Sequence, residues 1–155
     1  MKEIITLQIN GDRYDLYIEP KRTLLEVLRA EIGLTGTKEV CDLGTCGACT
    51  VLIDKKPILA CLTLAVTCKG KEIVTIEGIA RSDGTLHPMQ EAFRDHHGLQ
   101  CGFCTPGMVM SAIDIAKNHS NLTEEVVRAE LDGNMCRCTG YHNIVKAVLA
   151  GAQNM

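Results

Sequence analysis

Cys41-Asp42-Leu43-Gly44-Thr45-Cys46-Gly47-Ala48-Cys49 is the stretch on which the reading of this chain turns. With Cys61 further along, its Cys-x4-Cys-x2-Cys spacing is the plant-type arrangement for a [2Fe–2S] cluster. Three thiolates on one tight loop reach both irons from one side, and a fourth from a separate segment closes the cage. Gly44 and Gly47 let the loop curl so that backbone N–H groups face the anionic sulfurs. Four thiolates also suit a structural zinc ion. Zinc sites commonly pair two short Cys-x2-Cys knuckles, however, and this half of the chain lacks them. Spacing alone leaves the fourth ligand open between Cys61 and Cys68. Cys61 is nearer and lies in a run that reads as strand, whereas Cys68 reads as a free buried thiol that behaves as a small hydrophobe.

The residues around this loop read as a small mixed sheet with one helix. Ile5, Leu7 and Ile9 alternate with polar residues, Asn10-Gly11 signals a turn, and Tyr14 to Ile18 returns as a second strand. Thr23 and Glu26 form a capping box for a helix whose apolar face is Leu24, Leu25, Val27, Leu28 and Ile32. Gly33 stands where its C-terminal cap belongs. Beyond the cysteine loop, Thr50 to Ile53, Ile58 to Leu62 and Ile73 to Ile76 read as strands, with Asp54 to Pro57 as a turn.

A second set of four cysteines follows the polar stretch Ile79 to Thr85, read as a linker. Cys101-x2-Cys104 and Cys136-x-Cys138 are each followed by a helix start, Thr105-Pro106-Gly107 and Thr139-Gly140. Two helix N-termini facing one anionic centre would hold a second cluster, with zinc again the competing reading. Expected helices are Pro88 to His97, Pro106 to Asn118 capped by Thr105, one capped by Thr123 and ending before Gly133, and Gly140 to Ala150 preceded by Thr139. Four short helices suit a bundle. The expected fold is therefore α+β: a ferredoxin-like β-rich domain at 1–78, a linker at 79–85 and a helical domain at 86–155.

Bulk properties agree with a metal-stapled pair of small domains. The chain has 155 residues, 46% of them hydrophobic but only 3% aromatic, so its cores have few large side chains. A net charge of −3 argues against a nucleic-acid surface. No apolar run is long enough to span a membrane, and the N-terminus is too polar for a signal peptide, so the expected location is the cytoplasm. Nine cysteines in that compartment are not a disulfide framework, and an odd count leaves one unpaired.

Three motifs together resemble the iron–sulfur (small) subunit of the xanthine oxidase family of molybdenum hydroxylases. They are Cys46-Gly47-Ala48-Cys49-Thr50, Gln100-Cys101-Gly102-Phe103-Cys104-Thr105-Pro106-Gly107 and Asn134-Met135-Cys136-Arg137-Cys138-Thr139-Gly140-Tyr141. The resemblance runs from Ile5 to about Ala147. It implies a plant-type ferredoxin-like β-grasp domain followed by a four-helix [2Fe–2S] domain. Cys41, Cys46, Cys49 and Cys61 would hold one cluster, and Cys101, Cys104, Cys136 and Cys138 the other. It further implies a large subunit with molybdopterin, as the cytosine dinucleotide, and a medium subunit with FAD, in a heterotrimer or a dimer of heterotrimers. Gln100 and Cys138 would approach the pterin, and in the oxidising members of the family electrons would pass from molybdenum through both clusters to flavin. Asp83 through Met108 and Tyr141 through Val148 look most like carbon monoxide dehydrogenase small subunits. Leu34 to Lys38 and Cys49 through Leu64 look more like the γ subunits of 4-hydroxybenzoyl-CoA reductase. Aromatic, N-heterocycle, purine and aldehyde oxidoreductases share all the motifs. Val40 and Thr45 depart from the usual pattern, in which Gly precedes the first cysteine and Gly or an acidic residue the second.

An autonomous ferredoxin is the alternative function, but it leaves the helical half unexplained; a zinc interaction module is a third reading. A Rieske-type site would need two of His87, His96, His97, His119 and His142, which read instead as surface or capping residues. Met108, Val109 and Met110 read as bundle core. Arg137, between two cysteines, would offset cluster charge or meet the large subunit.

Overall fold

A computed structural model describes all of residues 1–155. Strands β1 (Glu3–Ile9) and β2 (Asp12–Ile18) form a hairpin across Asn10-Gly11. Both turn residues have positive φ, 55° and 87°, the geometry that follows the twist of paired strands. β3 (Thr50–Ile53) and β4 (Lys56–Leu59) make a second hairpin, and β5 (Glu72–Val74) joins the two, parallel to β1 and antiparallel to β3. The sheet order is β2-β1-β5-β3-β4. Pro57 is tolerated because β4 is an edge strand.

Several expectations in this half change in detail: the turn is only Asp54-Lys55, with Pro57 inside β4, and the last strand is Glu72–Val74, Ile76 starting a 3-10 turn. The helix after Thr23 keeps its capping box, but only Leu24–Glu26 (α1) is α-helical. Val27–Ile32 continues as a π-helix, closed by left-handed Gly33, whose N–H donates to Leu28 O. The expected strand from Ile58 to Leu62 stops at Leu59, and Ala60–Leu62 forms a 3-10 turn. Cys61 is thus carried on a turn, where its side chain can leave the sheet plane.

The second half contains four helices: α2 (Pro88–Asp95), α3 (Thr105–Asn118), α4 (Glu124–Glu130) and α5 (His142–Gln153). Thr123 caps α4 as expected. The starts of α3 and α5 differ from expectation. Cys104, not Thr105, is the N-cap of α3, and α5 begins only at His142 after a left-handed Tyr141. Thr139 is therefore not the cap of α5. The α2 cap is His87, whose Nδ1 accepts from Met89 N at 3.1 Å while Gln90 bonds back to His87 N.

Two cores form, and one strand serves both. Ile5, Leu7, Ile9, Leu24, Leu28, Val51, Ile53 and Ile73 belong to the first, between the sheet and α1. Met89, Phe93, Met108, Met110, Ile113, Ile144 and Val148 belong to the second. Because strand side chains alternate, Leu52 of β3 points away from Val51 and Ile53 and into the helical core, beside Val74. Ile76 and Ile79 also pack against that core, so the chain enters the helical half without a free linker at that point.

Candidate functional site

The first cysteine set occupies the loop before β3 and the turn after β4. Cys46, Cys49 and Cys61 are 7%, 3% and 5% exposed, while Cys41 is half-buried. The Thr45 hydroxyl, followed by the backbone N–H groups of Leu43 and Thr45 at 3.4 Å each, holds Cys41 down to about 5. Burial pushes Cys49 up to about 12, with Cys61 beside it. The set thus stands as two pairs, Cys41 with Cys46 and Cys49 with Cys61. Gly44 and Gly47 both have positive φ. A Cβ on Gly44 would collide with Leu62, and one on Gly47 with Gly133 O, so the loop is closed down on both sides. Cys68 is elsewhere, fully buried in the first core with its thiol directed to Leu64 O at 3.7 Å; burial raises its pKa.

The second set also forms two pairs. Cys101 and Cys138 are exposed, with their sulfurs 3.5 Å apart. Cys104 and Cys136 lie deeper, and burial, followed by the neighbouring Cys136 thiol, pushes Cys104 up to about 12. Burial opposes ionisation of Cys136 too. The Thr139 hydroxyl, at 3.2 Å, and the N–H groups of Thr139 and Cys138 nevertheless bring it below the usual thiol value. Only α3 starts directly at a cysteine of this set; Thr139, Gly140 and Tyr141 separate Cys138 from α5.

The two sets meet. Cys41 and Cys46 line the same cavity as Cys101, Cys104, Cys136 and Cys138, with a volume of about 630 Å³ and with Phe103 and Met135 on its walls. Met135 N donates to Cys46 O at 2.9 Å, so one hydrogen bond links the residue before Cys136 to a cysteine of the first set. Buried Asn134 donates to Gly47 O at 3.3 Å. Tyr141 Oη accepts from Cys136 N at 2.9 Å and donates to Asn134 O at 3.1 Å. A Cβ on Gly107 of α3 would collide with Gly47 O, which shows how closely that helix approaches the first loop. Across the seam, Lys38 Nζ sits 5.6 Å from the Phe103 ring centroid.

The donors fit binuclear clusters. Each set supplies four thiols as two pairs. Backbone N–H and hydroxyl donors already face Cys41 and Cys136. Iron of a bound cluster would supply the positive charge against which buried thiols such as Cys49 and Cys104 could give up their protons.

A [2Fe–2S] iron–sulfur cluster-binding domain model matches residues 7–66, and a second [2Fe–2S]-binding domain model matches residues 75–149. The chain is 48% identical over 145 residues to the nicotine 6-hydroxylase small subunit of Paenarthrobacter nicotinovorans, covering 94% of this chain and 87% of that one. It superposes on a chain of quinoline 2-oxidoreductase from Pseudomonas putida 86 with a TM-score of 0.92 and 44% identity, covering 98% and 94% of the two chains. The chain belongs to the iron–sulfur small subunits of the molybdenum hydroxylases. As such it is an electron-transfer subunit of an oxidoreductase complex. The small subunit's counterpart in the aldehyde oxidoreductase of Desulfovibrio desulfuricans is part of a longer polypeptide: the TM-score is 0.91 at 39% identity, and the match covers 98% of this chain but 17% of that one.

Several parts of the small subunit's site go beyond the cysteine pattern. Thr45, a departure from the usual loop, is a donor to Cys41 through its N–H. Val40, the other departure, lines the shared cavity. Asn134 and Tyr141 flank the last two cysteines in the sequence, and their contribution appears only once the two loops lie side by side. Gln100 and Arg137 sit beside Cys101 and Cys138 in the chain; both are exposed, and Arg137 lines the shared cavity. His96, His97 and His142 are exposed, His119 faces Glu130 at 3.3 Å, and His87 caps α2. No helix is long and apolar enough to cross a membrane.

Proposed function

We propose that this chain carries electrons between molybdopterin in a large partner subunit and FAD in a medium one. Cys41, Cys46, Cys49 and Cys61 would hold the first [2Fe–2S] cluster, and Cys101, Cys104, Cys136 and Cys138 the second. The observation that carries the reading is the shared cavity, in which both cysteine sets are joined by the Met135–Cys46 hydrogen bond. The clusters supply one-electron donor and acceptor chemistry. The chain supplies their spacing, their hydrogen bonds and the exclusion of water from the first. Exposure of Cys101, Cys138 and Gln100 suits the second cluster to face the pterin, with the pterin of the cytosine dinucleotide type. The buried first cluster would then pass electrons towards flavin.

On this reading 1–78 and 86–155 are the two cluster domains, joined by 79–85, and the complex is a cytoplasmic heterotrimer or its dimer. The relatives named for nicotine and quinoline support an N-heteroaromatic substrate for the holoenzyme, converted on the large subunit.

The test is anaerobic purification from the native host. Iron and acid-labile sulfide, two distinct S = ½ signals after dithionite reduction and two larger co-purifying chains are the expected result. Zinc without sulfide would refute the cluster assignment. A chain that purifies alone with two loaded clusters would overturn the subunit arrangement in favour of an autonomous carrier.

A further inference from the structure

We propose that Thr139 is a positioning residue that raises the reduction potential of the second cluster by donating its hydroxyl proton to the sulfur of Cys136. The proposal rests on the assignment of Cys101, Cys104, Cys136 and Cys138 as the ligands of that cluster.

The direction of the hydrogen bond follows from proton counting. A threonine hydroxyl has one proton to give and lone pairs to receive. Tyr141 N donates to Thr139 Oγ1 at 3.1 Å, and a backbone amide at that nitrogen can act only as donor. The oxygen is therefore an acceptor on that side, and its own proton is free for Cys136 Sγ at 3.2 Å. Tyr141 is held in turn. Its φ of 67° is left-handed, and its phenol bridges Cys136 N and Asn134 O. The 139–141 turn thus fixes the Thr139 rotor from behind and points it at one ligand sulfur.

The ordinary role for such a threonine, helix capping, does not apply. α5 begins at His142, its N-cap is Tyr141, and no side chain caps it. Reduction adds one electron and no proton to the cluster. A donor on a ligand sulfur stabilises the more negative state more strongly than the oxidised one. The effect belongs to one cluster alone, because Cys136 is in the second set. The donors on Cys41 in the first set, the N–H groups of Leu43 and Thr45 and the Thr45 hydroxyl, are untouched by substitution of Thr139.

The experiment is an EPR-monitored potentiometric titration of the assembled complex carrying Thr139→Val, Thr139→Ser or no change. The second cluster's signal is assigned by its loss in Cys104→Ser. Thr139→Val keeps the shape and loses the donor, so the second midpoint moves to lower potential while the first stays in place. Thr139→Ser keeps the hydroxyl and restores the wild-type value. An unchanged second midpoint in Thr139→Val, with both signals present, overturns the proposal; so does an equal shift of both clusters, which would mark a general structural effect. Should Thr139→Val fail to load the second cluster, Thr139→Ala replaces it with the same two outcomes. Failure of the cluster assignment itself is separate: it would show as missing iron, missing sulfide or a single signal in the unsubstituted protein.

Discussion

The first cysteine set is closed in by both halves of the chain, and the second stands open at the surface. Cys46, Cys49 and Cys61 are buried, with Leu62, Asn134 and the N-terminal end of α3 pressed on their loop, whereas Cys101 and Cys138 are exposed, flanked by Phe103 and Met135 at 50% and 60% exposure. Exposed apolar side chains border the first loop too, Val40 at 56% and Leu43 at 75%, so the contrast lies in the sulfurs themselves. Folding buries most of the first set and leaves two sulfurs of the second exposed. A relay needs both kinds, since electrons must enter through an uncovered side and be kept from solvent along the way.

The strongest way to break this contrast is to wedge the two sites apart. Gly107→Leu drives a side chain into Gly47 O and Ala48, at the seam between α3 and the first loop. Overpacking of a core costs about 1–3 kcal/mol, and backbone has less room to yield. We expect the thermal midpoint to fall by at least several degrees. Both EPR signals should weaken together; retention of both at the wild-type midpoint would show the seam to be dispensable.

Next in size is removal of one centre. Cys46→Ser and Cys104→Ser should each delete a different one of the two signals, because each changes a sulfur and leaves the Met135–Cys46 backbone bond intact. Loss of both signals in either variant would mean that the sites load as one unit. A gentler probe is iron chelation of the isolated subunit. Exposed Cys101 and Cys138 should make the second signal decay several-fold faster than the first, and bound partner subunits should abolish the difference. Equal decay rates would remove the contrast.

The smallest expected effect separates the halves by pH. Burial, then Lys117, holds the His87 pKa below its ordinary value, and its Nδ1 must be unprotonated to cap α2. Because the folded pKa is the lower one, the unfolded chain takes up the proton first. The stabilisation is whole above about pH 6.5 and is lost as pH falls through the folded value. An N-cap contributes about 1 kcal/mol. Hydrogen-exchange protection of α2, corrected for the intrinsic exchange rate at each pH, should therefore fall on acidification relative to that of β1, and His87→Asn should flatten the response.

Much of this was legible in the residues. The cysteine spacings, the capping box at Thr23, the N-cap at Thr123 and the alternation of Ile5, Leu7 and Ile9 are local signals, and they survive in the fold. What was not legible depends on contacts distant in sequence. Ile58 to Leu62 is an apolar run with no period to separate strand from turn, so the 3-10 turn that carries Cys61 was hidden. Thr50 to Ile53 is almost wholly apolar, and nothing in it tells that Leu52 belongs to a different core from its neighbours. Histidine is outside the usual N-cap residues, so His87 gave no start signal. Thr139 looked like a helix cap because it precedes a stretch with helical periodicity. Its actual partners, Cys136 Sγ and Tyr141 N, exist only once the turn has closed.

The double-sided burial of β3 has a consequence for anyone who wishes to engineer this molecule. Leu52 and Val74 form a party wall, and a chain cut at either domain edge would leave one side of that wall bare. Recombining such modules between enzymes should succeed with the pair transplanted whole, whereas chimaeras spliced at 79–85 should be sticky and prone to aggregate unless Leu52, Val74 and Ile76 travel with the helices they touch.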